Sequence, residues 1–67
     1  MIIATYKNTS KAAPEQIRVH QYSNGELHIE AIGNFYAKEV GGAYSTLDEV
    51  EKFLKTRDRV HAYERVN

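Results

Sequence analysis

Cysteine and tryptophan are absent from this chain of 67 residues, and proline occurs only once. Without cysteine there is no disulfide bond, no thiolate nucleophile, and no iron–sulfur or cysteine–zinc site. Small secreted domains usually depend on disulfide bonds, so the composition favours the reducing cytoplasm as the location of the protein. A chain of this length buries only about 60% of its extended surface, which predicts one domain over residues 1–67 with a small core.

An excess of charge is missing as well, because nine basic residues balance nine acidic ones. Proteins that bind nucleic acid without sequence preference need excess cations to displace counterions, and a DNA mimic needs excess anions. Apolar runs are too short for a membrane span, and residues 1–6 lack the basic start and the length of a signal peptide. We therefore expect no membrane contact, and nucleic-acid binding finds no support in the charge.

Two segments of alternating apolar and polar residues flank residues 23–25 and predict a β-hairpin. A two-residue turn would place apolar residues opposite polar ones on both faces, so that neither face could join a core. A three-residue loop instead pairs Val19 with Ile29 and His20 with His28, which collects the apolar residues on one face. The pattern therefore predicts the three-residue loop.

This register has two further consequences. Gly25 stands at the third loop position, where such a loop requires the left-handed conformation. Arg18 on the first strand stands opposite Glu30 on the second. Opposite charges at opposed positions stabilise a sheet, so we expect an ion pair between these two side chains.

Further strands are predicted on both sides of the hairpin. Residues 2–6 are rich in apolar and β-branched residues and form a first strand, followed by a surface loop over residues 8–14. After the hairpin, the strand either continues past Gly33-Asn34 in the same phase or bends there, since glycine within a strand often marks a bulge. Gly41-Gly42 break the pattern, and residues 43–44 form a further short strand.

A capping box predicts the start of a helix, because the Thr46 hydroxyl can accept from the amide of Glu49 while the Glu49 carboxylate reaches back. Apolar residues follow at helical spacing. They are Leu47, Val50, Phe53 and Leu54. A final strand is predicted near the carboxyl end, with Val60, Ala62 and Val66 inward, His61, Tyr63 and Arg65 outward, and Glu64 a defect in the inward phase.

Together these elements predict an α+β fold. An antiparallel sheet of three to five strands, in the order β-β-β-(β)-α-β along the chain, packs one face against a single helix. The predicted core consists of Ile17, Val19, Leu27, Ile29, Ala31, Phe35, Leu47, Val50, Phe53, Leu54, Val60 and Ala62.

The outward face of this sheet is the candidate binding surface. Tyrosine and arginine are enriched at the centres of protein interfaces, although tyrosine also has a high intrinsic preference for strands. The candidate partner-binding residues are Arg18, His20, Tyr22, His28, Tyr36, His61, Tyr63 and Arg65. His20 and His28 could also chelate a metal ion or titrate near neutral pH, but no third ligand stands at a fixed spacing, so no metal site is predicted.

No catalytic or cofactor-binding residue is predicted. Gly41-Gly42 lack the lysine and hydroxyl that follow a phosphate-binding loop. Ser10 and Ser45 have no base or oxyanion donor that the sequence can identify. A chain of this size rarely encloses a substrate pocket. We therefore expect no enzyme activity and no cofactor.

Two resemblances concern the architecture. The segment from Tyr44 through the capping box at Thr46 and Glu49 to Leu54 resembles the sheet-to-helix junction of arm-type DNA-binding domains of tyrosine integrases. Those domains read DNA with a three-stranded sheet, but this chain lacks their basic face and adds a final strand. In size, charge balance and element order, the chain also resembles small phage proteins that inhibit host or defence machinery, anti-CRISPR proteins among them.

Three functional hypotheses remain open. The first is a small protein-binding module that acts stoichiometrically, as such inhibitors do, through the outward face or through a sheet edge that could also form a homodimer. The second is a single-stranded nucleic-acid binder that stacks bases on Tyr22, Tyr36 and Tyr63, with Arg18 and Arg65 on the phosphates. The third is a regulator that responds to metal or pH through the histidines.

Overall fold

The structure, a computed structural model, describes residues 1–9, 14–57 and 63–67. Its elements are β1 (Ile2–Asn8), β2 (Gln16–Gln21), β3 (Leu27–Ile32), β4 (Ala37–Tyr44), α1 (Leu47–Arg57) and β5 (Tyr63–Arg65). The strands form one antiparallel sheet in the order β4-β3-β2-β1-β5. The predicted α+β class and the order of elements are therefore confirmed.

The β2–β3 hairpin has the predicted three-residue loop. His20 lies opposite His28 and Val19 opposite Ile29. The amide of Gly25 donates to the carbonyl of Tyr22 at 2.9 Å, and Gly25 has a φ of 88°. An L-residue with a side chain rarely adopts this left-handed conformation, which explains glycine at the end of the loop.

The predicted ion pair between Arg18 and Glu30 is wrong, although the two residues do lie opposite each other. The Glu30 carboxylate lies 2.9 Å from Nε2 of His20 instead. His20 is the diagonal neighbour of Glu30 on the same face, and diagonal neighbours in a sheet are also within reach of each other. Register fixes which residues are neighbours, but it does not decide which neighbour a carboxylate contacts.

The chain bends at Gly33-Asn34 rather than continuing as a strand. The amide of Gly33 donates to the carbonyl of Tyr36 at 2.9 Å, which closes the turn between β3 and β4. A Cβ atom on Gly33 would overlap the ring of Tyr36, so this ring packs where a side chain would otherwise stand. Phe35 lies at the tip of this turn and is 99% exposed. Its predicted place in the core is wrong, because that prediction needed the strand to continue.

The predicted break at Gly41-Gly42 is wrong, because β4 runs through both glycines. They form a bulge within this strand. Val40 lies opposite Ile29, whereas the next paired residue, Tyr44, lies opposite Leu27. Gly41 has a φ of 72°, and a Cβ atom there would lie 2.7 Å from Oη of Tyr44. Glycine therefore meets both a backbone and a packing requirement of this bulge.

Helix α1 begins as predicted. The amide of Glu49 donates to Oγ1 of Thr46 at 3.3 Å, and the Glu49 carboxylate accepts from the amide of Ser45 at 3.3 Å. The helix packs over β3 and β4. The buried apolar residues are Ala4, Tyr6, Ile17, Val19, Leu27, Ile29, Ala31, Val50 and Leu54. Leu47 and Phe53 are partly buried against this core, and the predicted core residues Val60 and Ala62 lie outside the described residues.

Strand β1 supplies a contact between the sheet and the helix that the predicted core did not include. Tyr6 is only 3% exposed, and its hydroxyl donates to Oε2 of Glu51 on α1 at 2.8 Å. Burial, together with the hydrogen bond and the charge of Glu51, raises the pKa of Tyr6 to about 12, while the charge of Arg65 acts in the opposite direction. Tyr6 is therefore held in its neutral form where the sheet meets the helix.

Candidate functional site

Four of the predicted binding residues share the face of the sheet opposite the helix, here called the outer face. They are Arg18, His20, Tyr22 and His28. Their neighbours in sequence, Ile17 and Val19 among them, are buried on the other face, here called the helix side. Because side chains alternate along a strand, the confirmed β2–β3 register places these four together.

Tyr36, Tyr63 and Arg65 lie on the helix side, which corrects the predicted placement. Arg65 lies opposite Tyr6, and Tyr63 lies opposite Asn8, two residues further along β1 in the same phase. The inward and outward phases of the last strand are therefore inverted relative to the prediction, and Glu64 is no longer a defect.

Tyr36 is displaced by the bend at Gly33. The register of β4 places Lys38 opposite the buried Ala31, and Tyr36, two residues away, has the same phase. Its ring covers Gly33, with Nζ of Lys38 5.5 Å from the ring centroid. His61, the remaining candidate, lies outside the described residues.

The centre of the outer face is His28, whose two ring nitrogens both lie against carboxylates. Nδ1 contacts Oε1 of Glu39 on β4, and Nε2 lies 3.4 Å from Oε1 of Glu26 at the β2–β3 loop. Glu39 lies opposite Glu30 in the β3–β4 register, so it points to the same face. His28 therefore connects two parts of the chain that belong to different hairpins.

Tyr22 stacks on His28. The two ring centroids are 4.0 Å apart, and the ring planes differ by 14°. Tyr22 is still 50% exposed, so one face of its ring contacts the imidazole while much of the side chain faces solvent. These contacts make up the histidine cluster of the outer face, which consists of His20, Tyr22, Glu26, His28, Glu30 and Glu39.

The carboxylates raise the pKa of His28 above its ordinary value. The hydrogen bond that His28 donates to Glu39 is the largest cause, and the hydrogen bond to Glu26 and the charges of both carboxylates act in the same direction. Desolvation opposes them, because removing an imidazolium from water is unfavourable. The balance favours the imidazolium form of His28 at pH values where a free histidine would be partly neutral.

A cleft of ≈ 180 Å³ lies within the outer face, lined by residues of β2, β3 and β4. His20, Tyr22, His28, Glu30 and Glu39 contribute to its wall. The cleft is smaller than the several hundred cubic ångströms typical of sites for small molecules. It offers stacking, hydrogen bonding and proton uptake rather than a chamber for a substrate.

A metal site on the histidines gains no support from the geometry. Over residues 1–9, 14–57 and 63–67, no three histidine, aspartate or glutamate side chains are placed to hold a metal ion. Instead, His20 contacts the carboxylate of Glu30, and His28 contacts that of Glu39 on the adjacent strand. The chemistry of this face is therefore that of paired rings and carboxylates.

Sequence reasoning missed Glu26 and Glu39 as members of the cluster. A signal for Glu26 exists, because it precedes His28 by two residues and shares its phase on an extended chain. Glu39 carries no such signal, since its position beside His28 follows from the bend at Gly33 and the β4 register. Neither the bend nor that register was fixed by the pattern.

Two further findings concern membrane-spanning helices and similarity to known proteins. No helix in the described ranges combines the length and the apolar character needed to cross a membrane. No protein-family model, curated protein or solved structure matches the chain.

Proposed function

We propose that the protein is a small non-enzymatic module that binds a partner protein stoichiometrically through its outer face, with Tyr22 as the central contact. The observation that carries the proposal is the state of Tyr22, which is half exposed yet held in one orientation by the His28 ring. An aromatic side chain held in this way can bury a large area in a partner while losing little conformational entropy.

The surroundings of Tyr22 fit an interface. His20 and Glu30 line the same cleft as Tyr22. They form a hydrogen-bonded pair with the nitrogen and oxygen 2.9 Å apart, and each side chain is about one third exposed. Interfaces typically surround a central aromatic residue with polar groups that exclude water and fix the orientation of the partner. The histidine cluster supplies both kinds of group within one face.

The outer face is a better candidate than the β4 edge of the sheet. Edge strand β4 carries the Gly41 bulge and the charged residues Lys38 and Glu39, which are features that discourage pairing with another strand. In a symmetric β4–β4 pair centred on this segment, Lys38 would face Lys38 or Glu39 would face Glu39. Either register opposes like charges, so a homodimer through this edge is the weaker form of the proposal.

The nucleic-acid alternative loses its predicted platform. Tyr63 and Arg65 lie on the helix side with Tyr36, so they cannot act together with Tyr22 and Arg18 on one strand of nucleic acid. The outer face also carries three carboxylates, each against a histidine of this face, and carboxylates repel phosphate groups. The protein-binding proposal is thus the stronger of the two. We extend it to inhibition of host or defence machinery by covering a partner's surface, because the chain resembles small phage inhibitors in size, charge balance and element order.

Two tyrosines of similar exposure allow a matched test. Tyr22 is 50% exposed on the outer face, whereas Tyr36 is 42% exposed on the helix side. Proteins retained by the immobilised wild-type chain would be identified, purified and titrated by calorimetry against the wild type, Tyr22→Ala and Tyr36→Ala. We expect one-to-one binding. Tyr22→Ala should raise the Kd at least about 30-fold, as loss of a central aromatic contact does. Tyr36→Ala should change the Kd by no more than about threefold.

Melting temperatures of the three proteins complete the test. We expect all three to melt within a few degrees of one another, because both side chains lie at the surface. Equal binding by Tyr22→Ala and wild type would contradict the proposed face. A large loss of stability in Tyr22→Ala would instead show that Tyr22 belongs to the fold rather than to an interface.

A further inference from the structure

Both ring nitrogens of His28 face carboxylate oxygens, and this arrangement has a definite proton requirement. An ionised carboxylate only accepts hydrogen bonds, and a neutral imidazole has one N–H to donate, whereas an imidazolium has two. Glu39 lies at Nδ1 and Glu26 at Nε2. The two contacts are therefore both hydrogen bonds only when His28 carries a proton on each nitrogen.

We propose that His28 is a proton-operated clamp on the outer face. Protonation joins the β2–β3 loop, through Glu26, to edge strand β4, through Glu39, with Tyr22 stacked on the bridging ring. Loss of the proton removes one of the two hydrogen bonds. The loop and β4 then separate from each other at this point, and Tyr22 loses a fixed surface on which to stack.

The other charged groups near His28 leave this clamp intact. His20 lies opposite His28 on β2 and would repel it if both were charged, but Glu30 lies 2.9 Å from Nε2 of His20 and offsets that charge. Lys38 on β4 lines the same cleft, but its Nζ lies 5.5 Å from the centroid of the Tyr36 ring on the helix side. Among the described residues, the two glutamates that contact His28 are thus the dominant charges on it, which agrees with the raised pKa of this histidine.

The clamp has a consequence for binding that rests on the proposed function. If Tyr22 is the central contact, the face is ordered for a partner when His28 is protonated and is looser when it is not. The affinity of the partner is then expected to fall as the pH rises through the titration of His28. This is regulation of the proposed site by pH rather than a second site.

A proton NMR titration of the free protein tests the clamp without any partner. The Cε1 proton of His28, the ring protons of Tyr22 and the amide of Glu39 would be followed from pH 5 to pH 9. We expect one shared midpoint, above that of histidine in an unfolded peptide. In Glu39→Gln the midpoint of His28 should move down, and the Tyr22 signals should shift toward those of an unstacked ring.

Glu30→Gln is the matched control, because it removes a carboxylate of the same face that contacts His20 and not His28. It should move the His28 midpoint much less than Glu39→Gln does, because Glu30 acts on His28 only through His20. A His28 midpoint unaffected by Glu39→Gln, or Tyr22 signals that do not follow His28, would overturn the clamp. A confirmed titration together with a partner affinity that is constant from pH 5 to pH 9 would overturn only its link to binding.

Discussion

The two faces of the sheet carry the same chemical device, an aromatic ring hydrogen-bonded to glutamate, in opposite surroundings. On the helix side, Tyr6 donates to Glu51 at 2.8 Å and is almost fully buried. On the outer face, His28 lies between Glu39 and Glu26, and both of these carboxylates are about half exposed. Each arrangement joins separate elements, but the carboxylates of the outer one are the more open to water.

Burial decides what each pair contributes. A buried polar group that loses its partner costs about 1–3 kcal/mol, whereas exposed ion pairs contribute between about 0 and 1 kcal/mol. The Tyr6–Glu51 pair therefore stabilises the packing of β1 against α1. The outer pairs can respond to pH or to a partner at little cost to the fold, and this difference makes the outer face the better place for function.

The largest expected difference between the faces is in tolerance to truncation. Tyr6→Ala should lower the free energy of unfolding by about 3–5 kcal/mol, because it leaves a large cavity in a small core. Tyr22→Ala should lower it by less than about 1 kcal/mol, since it removes one stacking contact at the surface. Urea denaturation of both variants measures these values. Similar losses in the two variants would remove the contrast between the faces.

High pH should act on the helix side. The folded pKa of Tyr6 is raised from 10.0 to about 12, so the folded state holds this proton more tightly than the unfolded chain does. The corresponding stability is complete below pH 10 and is lost as the pH rises from 10 to 12, by about 2–3 kcal/mol at most. Tyr6→Phe, which has no proton to lose, should lack this component.

Urea midpoints of the wild type and Tyr6→Phe at pH 9, 10 and 11 measure this effect. The difference between the two proteins isolates Tyr6 from the lysines that titrate in the same range. If the urea midpoints of both proteins fell in parallel, Tyr6 would ionise as freely in the folded state as in the unfolded one. Tyrosinate absorbance gives an independent measurement. In the wild type one tyrosine should ionise at a higher pH than the others, and this step should be absent from Tyr6→Phe.

On the outer face the same direction of pH dependence is expected, but nearer neutral pH. The folded pKa of His28 is raised by Glu39 and Glu26, so its contribution to stability is complete below the unfolded value near 6.5 and is lost as the pH rises through the folded value. Relative to His28→Gln, the wild type should be more stable at pH 5.5 than at pH 8.5. Urea midpoints at the two pH values measure the difference, and an advantage that is equal at both would contradict the ion pairs.

The two faces also differ in how far the sequence predicts them. Alternation around residues 23–25 was sufficient to place Val19 and Ile29 inside and His20 and His28 outside, as the structure confirms. That inference worked because a shift of one residue would have exposed the whole apolar set. The helix start at Thr46 was predictable for a similar reason, since the capping box is a local interaction.

The remaining members of the outer face depend on non-local geometry. Gly33 could have continued the strand or turned it, and only the turn brings Glu39 beside His28. The phase of β5 depends on its pairing with β1, which no local pattern specifies, so Tyr63 was predicted on the wrong face. Glycine positions and the pairing of distant strands were the points where periodicity alone was not sufficient.

The smallest expected effect on stability belongs to Phe35 at the tip of the β3–β4 turn. It is 99% exposed, so Phe35→Ser removes no buried area and should change the free energy of unfolding by less than about 0.5 kcal/mol, as most surface substitutions do. Val50→Ala on α1 is the buried comparison, and it should cost clearly more because Val50 is fully enclosed. Urea denaturation of the two variants measures both changes. A loss above about 1 kcal/mol in Phe35→Ser would show that Phe35 packs against the sheet in solution. The strand would then continue past Gly33, and Glu39 would no longer reach His28.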